Sequence, residues 1–318
     1  MAHWLYKSIL PAEDPSFSCR DVTVILPTIS TDIDELRSTI HSMLACNPFR
    51  ILLVTTTRHA QSHQELCKSI NAVNLEVLIS EITNKRVQIY TAIPRVRTHI
   101  TVLADDDVRW PHTLFRWLLA PFEYSQFGGV GTCQRVRRTP GKPVHNIFDW
   151  LGAAYIERRN FEISATHWID GGTSCMSGRT HALRTEILQD AKFLSAFTTE
   201  TWKGKLLNAD DDNFITRWLH ENGWMTWVQY RSECEVETTL ECNVTFIFQC
   251  LRWARSNWRS NLTSMADRHA WKLVIALVVL TGQLTSVQGE TVDVLCSVYR
   301  NVHKLRHYYR SDPCIFVL

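Results

Sequence analysis

Three consecutive carboxylates, Asp105-Asp106-Asp107, directly follow a short apolar segment of the sequence. Two aspartates separated by one residue, Asp105 and Asp107, offer hard oxygen ligands of the kind that Mn²⁺ and Mg²⁺ use together with nucleotide phosphates. A solvated acidic turn or a helix N-cap would have the same composition. The position after a predicted strand favours the cation and nucleotide site, because ligands of open α/β sheets bind outside the carboxyl ends of the strands.

A second acidic triplet, Asp210-Asp211-Asp212, opens a segment that is predicted to be helical. One of these carboxylates is a candidate general base, which would take a proton from an attacking hydroxyl group. Aspartates at the start of a helix also stabilise the helix dipole, and that role involves no chemistry. The residues of this segment alone leave both interpretations open.

A third group, Gln249-x-x-Arg252-Trp253, places a permanent cation beside an aromatic ring. Arginine can neutralise the charge that develops on a leaving diphosphate, and tryptophan can stack on a sugar ring. Arginine and tryptophan are also common on amphipathic helices at membrane surfaces. Both interpretations stay open at this point.

Alternating strands and helices must position these groups. Short β-branched or apolar runs predict strands at residues 21–28, 50–57, 75–79 and 99–104. Between them, apolar residues at helical spacing predict helices at residues 31–44, 61–70 and 85–93. This alternation predicts an α/β fold with an open, mostly parallel sheet, and it places the first acidic triplet at a carboxyl edge.

The pattern beyond Phe127 is less regular. Residues 128–138 are predicted to form a loop, 168–174 a turn-rich segment, 180–188 a helix, and 214–221 a helix that Gly223 ends. A basic, tryptophan-rich segment spans residues 249–259. The apolar stretch 273–287 has 15 residues and is shorter than the ~20 of a spanning helix, so it predicts a membrane-embedded or interfacial helix, with a buried core helix as the alternative.

Composition excludes several classes of protein. The 318 residues carry a net charge of +2, whereas a dedicated nucleic-acid binder normally has a large basic excess. With 45% hydrophobic and 21% charged residues, global disorder is excluded. The ten cysteines contain no Cys-x-x-Cys motif, which indicates reduced thiols and makes a zinc site improbable. The first 15 residues lack a long apolar run, so no cleaved signal peptide is expected.

Together, the motifs resemble family 2 glycosyltransferases of the processive type, such as hyaluronan, chitin and cellulose synthases. The likeness covers roughly residues 20–262 and is strongest to fungal polysaccharide synthases of the hyaluronan- or capsule-synthase-like group. Each motif alone is weak, but their order is specific. The motifs and surrounding residues that carry the likeness are Pro27-Thr28, Asn84-Lys85-Arg86, Asp105-x-Asp107, residues 168–174, Asp211-Asp212 and Gln249-x-x-Arg252-Trp253.

The resemblance implies a GT-A type nucleotide-sugar-binding domain and a UDP-sugar donor. It also implies Mn²⁺ or Mg²⁺, held by Asp107 with Asp105, and an inverting displacement in which Asp212, beside Asp211, is the general base. Arg252 and Gln249 would lie near the diphosphate, and Trp253 at the mouth of the acceptor channel. The remaining residues that the resemblance assigns to donor or acceptor binding are Thr28, Lys85, Gly171 and Gly172.

The expected organisation follows from this likeness. Residues 1–19 would form an N-terminal segment, 20–262 the GT-A domain, and 263–318 a short, membrane-associated helical segment. The expected partners are the UDP-sugar, a glycan or lipid acceptor and the membrane, without nucleic acid. The expected location is the membrane, with the catalytic domain on the cytosolic side.

The chain departs from the family in two respects. After the second strand it has Thr55-Thr56-Thr57, where the family usually has an acidic residue that contacts the donor base. At most one full apolar span follows Arg259, whereas processive synthases use several helices to form a channel. Transfer to a growing polysaccharide is therefore the leading expectation. Transfer of one sugar to a lipid or small molecule and a catalytically inactive, truncated relative are the alternatives.

Overall fold

The computed structural model describes residues 2–137 and 147–266. The elements of the first range, in chain order, are α1 (Ala2–Leu5), β1 (Val22–Pro27), α2 (Ile33–Ala45), β2 (Arg50–Thr56), α3 (Ala60–Ile70), β3 (Leu75–Ser80), α4 (Lys85–Ala92), β4 (Ile100–Ala104), β5 (Val108–Arg109), α5 (Leu114–Leu118), β6 (Phe127–Thr132) and β7 (Gln134–Val136). Those of the second are α6 (Ile147–Asp170), β8 (Thr180–Arg184), α7 (Thr185–Leu188), α8 (Ala191–Thr199), β9 (Thr201–Trp202), β10 (Lys205–Leu206), α9 (Asp211–Glu221), β11 (Met225–Gln229), β12 (Val236–Thr238) and α10 (Thr245–Ala266).

Seven strands form the central sheet, in the order β11-β6-β8-β4-β1-β2-β3. Strand β8 runs antiparallel to both of its neighbours, and the other pairs are parallel. A small sheet, β5-β12-β7, lies beside the carboxyl end of β4, and β9 and β10 form a separate hairpin. This mostly parallel sheet confirms the α/β class and has the GT-A type of architecture that the resemblance implied.

Both faces of the central sheet are covered. Alternate residues of one strand point to opposite faces, so Val24 and Leu26 join the hydrophobic cluster that includes α2 and α5, while Ile25 joins the cluster that includes α4, α8 and α9. A strand buried on both sides reads as a continuous apolar run, which explains why β1, β2 and β4 were recognisable in the sequence.

Two predictions for the chain beyond Phe127 are wrong. Residues 180–188, predicted to be helical, form β8 and only one helical turn, because the segment is inserted between β4 and β6. Residues 128–138, predicted to form a loop, instead include most of β6, a strand of the central sheet, and all of β7 in the small sheet. A Cβ at Gly129 would lie 2.7 Å from Leu219 Cδ1 and 2.8 Å from Met176 Cε, so the strand needs glycine to pack against these side chains.

The N-terminal segment packs against β11. Tyr6 stacks on Trp227 with ring centroids 5.2 Å apart, and the side-chain amide of Gln229 exchanges hydrogen bonds with the backbone of Ile9. Within the described ranges, no helix is both long and apolar enough to cross a membrane. The apolar stretch 273–287, and most of the predicted C-terminal helical segment, lies outside the described residues.

Candidate active site

A cavity of about 350 Å³ lies at the carboxyl end of β4, between the start of α9 and one face of α10. Both acidic triplets and the Gln249-x-x-Arg252-Trp253 motif line it. Because β8 is antiparallel, the residues that precede it reach the same edge, and the Asp105 amide donates to the Arg179 carbonyl oxygen at 3.1 Å. Three motifs spread between residues 105 and 253 of the sequence therefore meet in one site.

The first acidic triplet faces the cavity as a half-buried turn. Asp105 Oδ1 lies 2.7 Å from Lys85 Nζ, and Asp107 Oδ2 accepts a hydrogen bond from Thr239 Oγ1 at 3.1 Å. Burial, together with the neighbouring charge of Asp105, raises the pKa of Asp107 to about 6. Asp107 is thus a carboxylate whose negative charge is incompletely balanced by the protein.

Lys85 connects the two acidic triplets. Its Nζ atom lies 2.7 Å from Asp105 Oδ1 and 3.0 Å from Asp211 Oδ2. Burial opposes the charge of Lys85, but the carboxylates of Asp105 and Asp211 outweigh that effect and raise its pKa. The ammonium group is therefore permanently charged, and it holds the start of α9 against the end of β4.

Asp211 and Asp212 lie in the first turn of α9, but their surroundings differ. Asp211 is 5% exposed and pairs with Lys85. Asp212 is more accessible, and its Oδ2 accepts the Gly178 backbone N–H at 3.0 Å. Since Asp212 has no cationic partner within ion-pair distance among the described residues, it is the better placed of the two to accept a proton from a ligand.

Asp210, the residue before α9, has a left-handed backbone conformation with φ of 63°. Its carbonyl oxygen accepts from the buried Arg86 at 3.1 Å, and its carboxylate pairs with Arg259 of α10. Asparagine and aspartate tolerate this conformation better than most residues, at a modest cost. Contacts from α4 and α10 thus fix the point at which α9 begins.

One face of α10 forms the opposite wall of the cavity. Gln249, Arg252, Trp253, Ser256 and Asn257 line it at helical spacing. Trp253 is stacked on Tyr155 of α6, with ring centroids 5.2 Å apart, and the Arg179 guanidinium carbon lies 5.3 Å from its ring centroid. Protein groups thus already occupy part of the ring surface that the resemblance assigns to an acceptor.

Three predicted site residues do not line the cavity. Thr28 is buried and donates a hydrogen bond of 2.5 Å to Asp106 Oδ2, so it supports the acidic turn from behind. Gly171 follows α6, and a Cβ there would lie 3.4 Å from Met225 Cε, at the start of β11. Gly171 therefore lies at the amino end of β11, whereas the cavity lies at the carboxyl ends of the strands. The adjoining Gly172 is not among the lining residues either.

Several lining residues were not identified from the sequence. They are Tyr155, Arg159, Gly178 and Arg179, and Thr239 supports Asp107 beside them. Arg179 donates to Thr238 Oγ1 and to Gln134 Oε1, at 3.0 and 3.3 Å. No short motif joins these positions, because they come from α6, from the segment before β8 and from the small sheet. The sequence around Gly178 and Arg179 gave no signal, because the segment that follows, 180–188, has the composition of a helix.

The charges around the cavity fit a divalent cation. Six carboxylates and four cationic side chains line it, a formal balance of −2. In the described parts of the chain, no group of three His, Cys, Asp or Glu side chains is arranged to hold a metal alone. Asp105 and Asp107 instead suit Mn²⁺ or Mg²⁺ in the usual mode for nucleotides, in which substrate phosphates and water complete the coordination shell.

Comparison with known proteins identifies the family. Residues 20–256 match the family described as glycosyltransferase like family 2. A type 2 glycosyltransferase of Pyricularia oryzae is 54% identical over 85% of this chain and 56% of its own length. The NDP-glycosyltransferase ltbB of Aspergillus luteorubrus is 32% identical over 85% of this chain and 70% of its own length.

Human hyaluronan synthase 2 is a more distant relative, 21% identical over 70% of this chain and 40% of its own length. The chain spans about half the length of the type 2 glycosyltransferases that it matches. The match to residues 20–256 contains all three motifs from which the resemblance was drawn.

Proposed function

The chain belongs to the glycosyltransferase like family 2, a family of transferase enzymes, and from this membership we propose that it transfers a sugar from a UDP-sugar to a glycan acceptor. The transfer inverts the anomeric carbon and uses Mn²⁺ or Mg²⁺. The observation that carries the proposal is the meeting of both acidic triplets across Lys85 in a single cavity.

The donor half of the site is the end of β4. Asp105 and Asp107 would hold the cation, and when bound it would neutralise the diphosphate as the leaving group departs. Lys85 keeps Asp105 in place, and Thr239 orients Asp107. Arg252, exposed on the α10 wall, is free to approach the diphosphate from the opposite side.

The acceptor half of the site is the start of α9. Asp212 takes the proton of the acceptor hydroxyl as that oxygen bonds to the anomeric carbon. The bond between the anomeric carbon and the diphosphate oxygen breaks in the same displacement, and UDP leaves with its electron pair. No protein nucleophile is required, since one displacement inverts the configuration.

The test is UDP release by the full chain with Mn²⁺, with UDP-GlcNAc, UDP-glucose, UDP-glucuronate and UDP-galactose offered in turn. One donor should give release that EDTA abolishes. Asp107→Asn and Asp212→Asn should each lower the rate about 100-fold or more, since general base catalysis alone contributes that much. The matched control is Asp14→Asn, an exposed aspartate outside the site, with circular dichroism to check the fold.

The size of the product decides between the alternatives. A ladder of sizes indicates a growing polysaccharide, whereas a single added sugar indicates transfer to a lipid or small molecule. UDP binding without release for any donor would favour the inactive, truncated relative. Turnover at the wild-type rate in either aspartate variant would overturn the proposed chemistry.

We also propose that the protein lies at a membrane surface, with its catalytic domain on the cytosolic side. Helix α6 exposes Trp150, Phe161 and Trp168 on one face, at 58%, 47% and 50%. Helix α10 exposes both apolar and cationic residues, among them Phe248, Arg255 and Trp258, a composition typical of interfacial helices. Helices α6 and α10 contact each other, because Tyr155 of α6 stacks on Trp253 of α10.

Sedimentation with vesicles of phosphatidylcholine and phosphatidylserine tests this proposal. Replacing the three aromatic residues Trp150, Phe161 and Trp168 by serine should reduce the bound fraction severalfold, because each buries a large apolar surface on binding. Trp202→Ser is the control, since Trp202 is 38% exposed on the β9–β10 hairpin. Equal binding of the triple variant and the control would contradict the proposal.

A further inference from the structure

Arg159 of α6 lines the cavity with most of its hydrogen-bonding capacity unused. Arginine carries five N–H donors. The Arg159 guanidinium donates one long hydrogen bond, from Nη2 to the Cys175 carbonyl oxygen at 3.4 Å. Its Nε–H is buried and has no partner among the residues that the structure describes. Within those residues the side chain also forms no ion pair.

Two arginines that are more deeply buried are satisfied by the protein. Arg86 donates four hydrogen bonds, one of them to Glu200 at 2.7 Å, and Arg217 donates to Ser260 and to Glu200. A largely buried cation without a paired anion is destabilising, because its desolvation is not offset. Asp212 and Glu162 supply negative charge near Arg159, but within the described residues its Nε–H has no hydrogen-bond partner and no carboxylate pairs with the guanidinium.

The position of Arg159 connects it with the acceptor half of the site. Arg159 donates to the Cys175 carbonyl oxygen, lies one turn after Tyr155 on α6, and lines the same cavity as Asp212, whose negative charge acts on it. Arg179, by contrast, is influenced mainly by Asp105 and Asp107 of the donor half. Tyr155 also stacks on Trp253, so Arg159 lies beside an aromatic pair and close to the candidate base.

We propose that Arg159 binds an oxyanion carried by the acceptor sugar, either a carboxylate or a phosphate. This inference rests on the proposed function and defines its acceptor as an acidic glycan or a phosphorylated sugar. The planar guanidinium suits both oxyanions because two of its N–H groups can donate in parallel. The hydroxyl to be glycosylated faces Asp212.

The test compares three sugars that differ only at C6: D-glucose, D-glucuronate and D-glucose 6-phosphate. Their dissociation constants are measured by saturation-transfer NMR on the full chain with UDP and Mg²⁺, a diamagnetic cation, and again without them. The wild-type protein should bind at least one of the two anionic sugars about tenfold more tightly than glucose. The anion that binds more tightly distinguishes a carboxylate from a phosphate acceptor.

The variants assign the preference to one side chain. Arg159→Gln should reduce the preference to about twofold or less, while Arg158→Gln should retain it. Arg158 is a matched control, because it is the neighbouring residue on α6, lies partly exposed and is already paired with Glu162 at 2.7 Å. Arg159→Lys keeps the charge but loses the planar fork, so an intermediate preference of about threefold is expected.

Each outcome is decisive. No preference for either anionic sugar in the wild-type protein, including no binding at all, overturns the proposal. A preference for the anionic sugar that stays about tenfold in both Arg159→Gln and Arg159→Lys also overturns the proposal. A residue that merely positioned Asp212 would change turnover with all acceptors equally and leave the ratio of the dissociation constants unchanged. UDP binding, measured by calorimetry on the same samples, separates a failure of this proposal from a failure of the donor site.

Discussion

Gly178 leaves the space that the carboxylate of Asp212 occupies. A Cβ at this position would lie 3.3 Å from Asp212 Oδ2, closer than most such contacts, while the backbone N–H of Gly178 donates to the same oxygen. Gly178→Ala should therefore displace the candidate base without disturbing the donor half. We expect the turnover of UDP-sugar to fall about tenfold to 100-fold and UDP binding to stay unchanged.

The control for this variant is Gly204→Ala on the β9–β10 hairpin. Gly204 has φ of 77°, so alanine is strained there, but no atom lies within 4 Å of the added Cβ. Gly204→Ala should thus lower the stability of the fold without changing any contact in the site. A fall in turnover of the same size in both variants would mean that Gly178 acts through stability alone.

At the residue scale, local spacing revealed only part of the site. Asp105, Asp107 and Asp212 were predicted because each lies in a short motif next to a recognisable element. Arg159 and Arg179 reach the cavity through the packing of α6 and the antiparallel insertion of β8. Neither arrangement can be predicted from the spacing of residues in the sequence. Gly171 and Gly172, assigned by resemblance alone, fell outside the cavity.

The start of α9 and the wall formed by α10 are joined through an ion pair between Asp210 and Arg259. The pair is largely buried, with 7% and 21% of the two side chains exposed. Arg259→Gln should loosen α10 from the base-bearing turn and lower turnover about tenfold, since breaking a buried pair leaves an uncompensated charge. Arg255→Gln, an exposed residue one turn earlier on α10, should leave turnover unchanged.

A double-mutant cycle measures this coupling. If the pair is the source of the effect, adding Asp210→Asn to Arg259→Gln should cost much less than the sum of the two single changes. Asparagine also tolerates the left-handed backbone of this position, so strain does not confuse the result. Strictly additive losses would show that the two residues act independently.

At the element scale, the strands and helices up to β4 follow their local sequence patterns, whereas β6 and β8 do not. Strands β1 to β4 and helices α2 to α4 were predicted within a few residues because each is a continuous local pattern. Strand β8 was mistaken for a helix because its alanine, leucine and arginine favour helices, and only its two neighbouring strands make it extended. Strand β6 was not predicted because it contains three glycines, which are uncommon in strands. Gly129 leaves the space that the side chains of Leu219 and Met176 occupy.

At the scale of the whole molecule, buried histidines link stability to pH. His63, His167, His181 and His220 lie in different parts of the structure, and burial lowers the pKa of all four. For His167 and His220 the pKa falls to about 4. The unfolded chain binds protons near the ordinary value of about 6.5, so between these limits it holds more protons than the folded protein.

Stability should therefore be greatest above pH 6.5 and decline as the pH falls towards 4, with each pKa unit worth about 1.4 kcal/mol per group. Asp107 acts in the opposite direction, because its raised pKa favours the folded state in acid, and it offsets part of the decline. The double variant His167→Gln/His220→Gln should flatten the dependence of Tm on pH between 7 and 4.5. The exposed His112→Gln should keep the wild-type slope, and a double variant with that same slope would exclude these two histidines as its source.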